Sequence, residues 1–300
     1  MQIEDTRSVA RKEAYDVIVV GGGIAGVAAA VAAARNGAKT LLMEKQINLG
    51  GLATVGLISW YEPLCDGRGN QVIYGIAEEL IRLSVRYGFE NLPAKWGGEG
   101  KNKNRYDRFA TFYSPTLFSL ALDEFVRDSG ADIRFDTLAT YPVVRDGHCD
   151  GIVAESVSGK EFYPCKCVID ATGDAGVCAA AGLPTACGTN YHVYTCHAYY
   201  RKDAEHLAQS GDFTQFRKWV ARGGGAEGNR QPEELTPQST YTSDTENAFI
   251  RWGKEKMFSV FKDTDKHERD IMALPTMPQY RKIRHLIGKT VFDAASTACG

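Results

Sequence analysis

The first ordered pattern in the chain is a run of six mostly apolar residues, 15–20 (YDVIVV), rich in β-branched side chains. Such a run reads as a buried parallel strand. A glycine cluster follows, and then an alanine-rich stretch to about Asn36 that reads as a helix. Gly37 closes it at the position where a left-handed residue is favoured. Residues 39–44 (KTLLME) form a second apolar strand, so strand, tight turn, helix and strand fit within 30 residues. That is one βαβ unit.

Beyond it, residues 48–60 are a glycine-punctuated loop, and residues 71–87 carry Ile73, Ile76, Ala77, Leu80, Ile81 and Leu83 at a helical period. Residues 93–105 are polar and glycine-rich, a surface loop. Ser114 followed by Pro115 starts another helix, which Gly130 stops. From 131 to 170 the period becomes two, with turn signals at Asp146-Gly147 and Ser158-Gly159. This predicts a small antiparallel meander before a last parallel strand at 167–170, a glycine turn at 171–174 and a short helix through Ala181. Residues 191–201 alternate and are aromatic, as in a strand of a different sheet, and residues 222–246 read as loop. The expected class is α/β: a Rossmann-type parallel sheet with the meander, plus a second α+β domain. The expected organisation is an N-terminal arm at 1–14, a dinucleotide-binding domain at 15–186 plus 281–300, and a substrate or cap domain at 187–280.

Composition narrows the function classes. The chain has 300 residues and a formal net charge of −2, which gives no electrostatic reason to expect nucleic acid or an anionic membrane as partner. No apolar run approaches the roughly 20 residues that span a bilayer. The first 16 residues are charged, without the apolar core of a secretory signal. A cytoplasmic protein is expected, and a homo-oligomer is left open. The eight cysteines form no C-x-x-C pair, so they read as free thiols, and no metal site is expected.

The chemistry is carried by G-x-G-x-x-G at Gly21, Gly23 and Gly26, with a strand before it, a helix after it and Glu44 ending the next strand 23 positions beyond Gly21. Gly21 permits the sharp turn, Gly23 lets a pyrophosphate approach the backbone, and Gly26 lets helix and strand pack closely. The first helical turn, Ile24 and Ala25, offers N–H groups and partial positive charge to phosphates. Glu44, with Lys45 beside it, is placed to accept hydrogen bonds from a ribose. Its charge repels a 2′-phosphate and argues against NADP.

Residues 15–57, through the stretches 16–45 (DVIVVGGGIAGVAAAVAAARNGAKTLLMEK) and 49–57 (LGGLATVGL), resemble the FAD-dependent oxidoreductases related to the fumarate reductase and succinate dehydrogenase flavoproteins. Further stretches, 75–83, 114–135, 168–182 (VIDATGDAGVCAAAG) and 277–288 (MPQYRKIRHLIG), resemble that family in order and spacing. The resemblance implies FAD as cofactor. It places Gly50, Gly51, Ala53 and Thr54 along the pyrophosphate, ribityl chain and ring, and brings Ala171, Thr172, Gly173 and Asp174 to the cofactor. It makes Arg284 a candidate for substrate binding or charge stabilisation, beside Arg281. No histidine precedes His148, so the flavin is expected to be noncovalent. The family's pattern continues well past the point that corresponds to Gly300, so the chain reads as a truncated form.

Hydride transfer between FAD and a small organic substrate is the leading expectation. A thiazole-synthase-like enzyme using NAD and a non-catalytic FAD-binding protein are the alternatives. Disulfide reductases are disfavoured, because no redox cysteine pair is present. His192 and His197 are five apart and would face opposite sides of a strand. Each reads first as a structural histidine, with His197 the candidate acid or base.

Overall fold

The computed structural model describes residues 8–66, 68–97, 108–224, 239–281 and 283–290. The first elements are the predicted βαβ unit, preceded by a short strand β1 (Ala10–Arg11): β2 (Tyr15–Val20), α1 (Ile24–Arg35) and β3 (Thr40–Met43). β4 (Trp60–Tyr61), α2 (Ile76–Val85), β5 (Thr111–Phe112), α3 (Pro115–Asp128) and β6 (Asp132–Arg134) follow. The Ser114 hydroxyl accepts the Leu117 N–H, and Pro115 occupies the first turn of α3, as its sequence predicts. α2 is shorter than its apolar period suggests. Gly75, at φ 66 and ψ −137, cannot continue a helix backwards, and Ile73 and Tyr74 are exposed.

The meander is β7 (Leu138–Arg145), β8 (His148–Ser156) and β9 (Gly159–Asp170). Its last member does two jobs. The first half of β9 pairs antiparallel with β8, and its second half pairs parallel with β2. The expected separate strand at 167–170 is therefore the end of one strand. β1 also pairs parallel with β9, at Glu161 and Phe162, so residues 10–11 of the expected loose arm are sheet, while residues 1–7 lie outside the described residues. The sheet has seven strands, β6-β3-β2-β9-β8-β7 with β1 beside β9.

The two faces of this sheet bury separate sets of side chains. Val19, Leu42 and Leu49 pack with Val27 and Val31 of α1 and with Phe118 and Leu122 of α3. Ile18, Leu41 and Met43 pack with Ile152 and Tyr163 on the other face. Alternation along β2 and β3 thus splits between two apolar layers, which is why both strands read as continuous hydrophobic runs.

After α4 (Gly176–Ala180) and β10 (Thr185–Cys187), a three-stranded antiparallel sheet is built by β11 (Val193–Tyr200), β12 (Lys218–Gly223) and β13 (Arg269–Ala273), with β11 central. α5 (Arg201–Ser210) lies between β11 and β12, and α6 (Ser243–Lys262) precedes β13. Phe249, Trp252, Met257 and Phe261 of α6 pack on Tyr194, Cys196 and Ala198. The loop expected over 222–246 ends early, because Thr242 and Thr245 cap α6 reciprocally. Residues 225–238 of that loop, 98–107 and 291–300 lie outside the described residues. Gly223 is no free surface turn. At φ +106 its hydrogen faces the His192 carbonyl, 2.0 Å from where a Cβ would sit. β14 (Arg284–Leu286) returns to pair with β10. Among the described residues, no helix is long and apolar enough to cross a membrane.

Candidate functional site

Three parallel strands end in register. Val20 lies opposite both Met43 and Asp170. Gly21, Glu44 and Ala171 therefore leave the sheet side by side, at the carboxyl edge where open α/β sheets bind ligands. The Gly21 N–H donates to the Met43 carbonyl and the Ala171 N–H to the Val20 carbonyl, both at 2.8 Å, which extends the ladder into the turns.

The three motif glycines have different surroundings. Gly21 has φ +100, and a Cβ there would lie 2.4 Å from the Ala171 carbonyl oxygen. At Gly26 it would lie 1.8 Å from the Gly21 oxygen, so helix and turn touch through bare backbone. At Gly23 it would meet nothing within 4 Å. Gly23 is also the N-cap of α1, with no side-chain cap and no acidic residue in the first turn. A helix start that is uncapped and open to space is an anion site in form.

Glu44 is buried, and its carboxylate points at the glycine turn. Oε2 accepts the Gly22 N–H at 2.5 Å and Oε1 accepts the Gln46 N–H at 2.7 Å. Each oxygen keeps a lone pair for a ribose hydroxyl. The second glycine turn is held by Asp170, which accepts the Thr172 hydroxyl at 2.6 Å and the Cys178 N–H at 2.9 Å. Burial works to raise the Asp170 carboxyl, but these hydrogen bonds prevail and hold it below the usual carboxylate value.

These turns border a cavity of about 750 Å³. Gly21, Gly23, Ile24, Ala25, Glu44, Lys45, Gly50, Gly51, Ala53, Ala171, Thr172, Gly173 and Asp174 all line it. Gly26 does not; it acts by packing. Thr54 is a correction: its side chain is buried and donates to the Leu49 carbonyl, so it shapes the loop from behind. The cavity also takes in residues that the sequence pattern gives no reason to choose. They include Thr137 to Tyr141 from the start of β7, Trp60 and Tyr61 of β4, and Tyr113. Burial pushes the Tyr61 hydroxyl up to about 12, and burial raises that of Tyr113, which lies 3.1 and 3.0 Å from the Ala53 and Ile58 carbonyls. A strap at 276–281 adds Met277, Pro278, Tyr280 and Arg281 to the lining, and Ile283 adds another apolar side chain. The strap's anchor is Gln279, whose amide donates to the Gly56 carbonyl at 2.5 Å and accepts the Thr195 N–H at 2.7 Å.

The sequence matches the family described as FAD dependent oxidoreductase over residues 16–294. The chain belongs to the FAD dependent oxidoreductase family. Its cofactor is FAD, and the cavity suits one. The cavity is bordered by two glycine turns, leaves room at Gly23 for a phosphate, and has the Glu44 carboxylate on its wall for a ribose. The chain is 26% identical over 221 residues to a digeranylgeranylglycerophospholipid reductase of Methanocella arvoryzae, covering 71% of this chain and 53% of that protein. It is 33% identical over 79 residues to a thioredoxin reductase of Ureaplasma parvum, 26% of each. The chain thus spans about half the length of the first relative and a quarter of the second. Among solved structures, the p-nitrophenol 4-monooxygenase of Pseudomonas putida shares the fold, with TM-score 0.51, 13% identity, and coverage of 92% of this chain and 68% of that one.

The two catalytic candidates of this flavoprotein sit apart from the cavity. Arg284 donates from Nε to the Asp174 carbonyl at 2.8 Å and lies 3.7 Å from its carboxylate, so it braces the second glycine turn; Arg281 is the arginine that lines the cavity. His197 is buried in β11, 3.1 Å from the Ser59 hydroxyl, and lines a second cavity. His192 packs against Phe249 and Trp252.

Burial, aided by the Arg217 charge, holds the His197 imidazole down to about 4 from its ordinary 6.5, against a hydrogen bond with the Leu57 backbone that raises it. The unfolded chain takes up a proton near 6.5 that the folded chain refuses until about 4. Stability therefore falls as pH drops through that window, by roughly 2–3 kcal/mol for this group. Urea midpoints measured from pH 7 to pH 4 should show a shallower decline in His197→Asn than in the natural chain. Parallel declines would contradict a neutral, buried His197.

Proposed function

We propose that the chain moves a hydride between noncovalently held FAD and a small organic substrate. The observation that carries this is the in-register ending of β2, β3 and β9 at two glycine turns, with Glu44 folded back onto Gly22. Bound FAD would supply the redox chemistry, and the chain supplies orientation and electrostatics. The α1 N-terminus and Gly23 would hold the pyrophosphate, and Glu44 would hold the ribose. Asp170, through Thr172 and Cys178, and Arg284, through Asp174, keep the second turn in shape. Trp60, Tyr61 and Tyr280 line the cavity with rings that exclude water. Arg281 places a positive charge on its wall, suited to an anionic group of the substrate. The lack of any histidine before His148 supports a noncovalent flavin. Kinship with the fumarate reductase and succinate dehydrogenase flavoproteins is supported by the stretches 49–57 and 168–182, both of which border the cavity.

The test is the visible spectrum of the purified protein, followed by release and mass measurement of its ligand. A yellow protein releasing intact FAD on denaturation, with the flavin bleached by an organic donor, is expected. A protein that stays colourless after incubation with FAD would sink the proposal, and a bound flavin that no organic donor reduces would sink its hydride-transfer part.

Replacing Glu44 by Ala removes the acceptor of two backbone N–H groups and of the ribose hydroxyls. Each lost charge-assisted hydrogen bond is worth about 1.5–3 kcal/mol, so FAD should bind roughly ten- to a hundredfold more weakly. Titration of the apoprotein, followed by flavin fluorescence, reads this directly.

A further inference from the structure

A second cavity, of about 520 Å³, borders the β4–β5 ribbon and shares no lining residue with the flavin cavity. Neighbouring residues divide between the two: Trp60 and Tyr113 line the first cavity, Ser59 and Phe112 the second, and the Trp60 and Phe112 rings meet at 4.6 Å. Four rings wall it. Phe89 and Phe213 have centroids 5.6 Å apart, and Phe112 and Trp219 meet edge to face at 6.4 Å.

The ionisable groups on its lining are Glu90, whose Oε2 has no hydrogen-bond partner among the described residues, and His197, Asp212, Arg217 and Lys218. Lys218 is spent on Asp203 at 3.3 Å. Asp212 caps the turn at 213–215 by accepting the N–H and hydroxyl of Thr214, at 2.9 and 2.6 Å. His197 is neutral above pH 4, for the reasons given above. Arg217 remains. Its side chain is 13% exposed, and its Nη2 donates to Glu90 Oε1 at 2.5 Å and to the Tyr113 carbonyl at 2.7 Å. Its Nε and Nη1 groups have no hydrogen-bond partner among the described residues. Glu90 and Tyr113 thus fix a guanidinium that still has donors to give. N–H groups of an arginine held in place at a cavity wall suit an anionic oxygen, and the rings suit a flat apolar body.

We propose that this cavity is a binding site for a small aromatic carboxylic acid, its carboxylate on Arg217 and its ring between Phe89, Phe112, Phe213 and Trp219. This site shares no lining residue with the flavin cavity, so the proposal is independent of the hydride-transfer reading.

Phenylacetate is the probe, with phenylacetamide as its uncharged counterpart. Binding is followed by calorimetry and by the fluorescence of Trp219, with and without added FAD. Phenylacetate should bind in both conditions without displacing flavin, and phenylacetamide at least about tenfold more weakly, as expected for loss of one charge-assisted hydrogen bond. The double variant Glu90→Gln/Arg217→Met removes the charges together and should lose phenylacetate while retaining FAD. Should that variant fail to fold, Trp219→Ala, a change at a side chain already 41% exposed, should weaken phenylacetate several-fold. Equal affinity for acid and amide, unchanged binding by the double variant or by Trp219→Ala, or release of FAD by phenylacetate would each overturn the assignment.

Discussion

Gly26→Ala should yield a chain that folds poorly and holds no flavin, whereas Gly23→Ala, three residues earlier, should fold as well as the natural chain and bind flavin far less tightly. The contrast follows from what surrounds the two positions. The added carbon at Gly26 falls 1.8 Å from the Gly21 carbonyl oxygen and 3.2 Å from the Ala171 side chain, neither of which can move without pulling apart the turns that extend β2 and β9. Overpacking against backbone costs about 3 kcal/mol or more. At Gly23 the backbone has φ −65, which alanine accepts freely, and the space ahead is open. Its methyl group meets nothing until a phosphate arrives. Urea unfolding of the two apoproteins, paired with FAD titration, separates the effects. A Gly23→Ala chain that binds FAD like the natural one would show that the phosphate does not pass this glycine.

The αβ frame was legible because its rules are local. The 15–20 strand, the glycine turn, the alanine helix and the Ser114 cap all depend on neighbours within a few positions. The α/β fold with a parallel-dominated sheet, the membership in an FAD dependent oxidoreductase family and the choice of FAD were reached from these stretches. What failed to show was long-range or masked by composition. The apolar positions of α6, Phe249, Trp252, Met257 and Phe261, keep a helical spacing, but a glycine-, proline- and threonine-rich approach hides where the helix begins. Arg201–Ser210 carries no buried residue, so α5 had no apolar stripe to reveal it. β9 changes partner midway, and a period-two pattern cannot say which strand lies alongside. His197 meets Ser59 across 138 positions, and Gln279 reaches Gly56 across 223. No spacing rule links residues so distant, so the second cavity and the strap emerge only in three dimensions. Thr54 shows a subtler limit. Its loop was placed at the cavity, but one turn of 3₁₀ helix at Gly51–Ala53 directs its side chain back to Leu49.

Arg217→Ala should be the most destabilising change among the residues lining the second cavity, at about 3–5 kcal/mol, while Glu90→Gln/Arg217→Met should cost far less than the single substitution. Glu90 is 7% exposed on its side chain, and one of its oxygens already lacks a hydrogen-bond partner. The other is satisfied by the guanidinium alone. With Arg217 gone, a buried carboxylate keeps neither partner nor water, and the Tyr113 carbonyl loses its donor too. Removing one member of a buried ion pair is costly for this reason, whereas replacing both by neutral groups of similar volume is often close to neutral. The two residues are in contact, so their effects will not add, and the cycle of two single variants and the double one measures the coupling. Urea midpoints at neutral pH supply all four corners. A single Arg217→Ala variant that loses less than about 1 kcal/mol would mean that water reaches the pair, as at exposed ion pairs. The guanidinium would then be too well hydrated to hold an organic acid between aromatic walls.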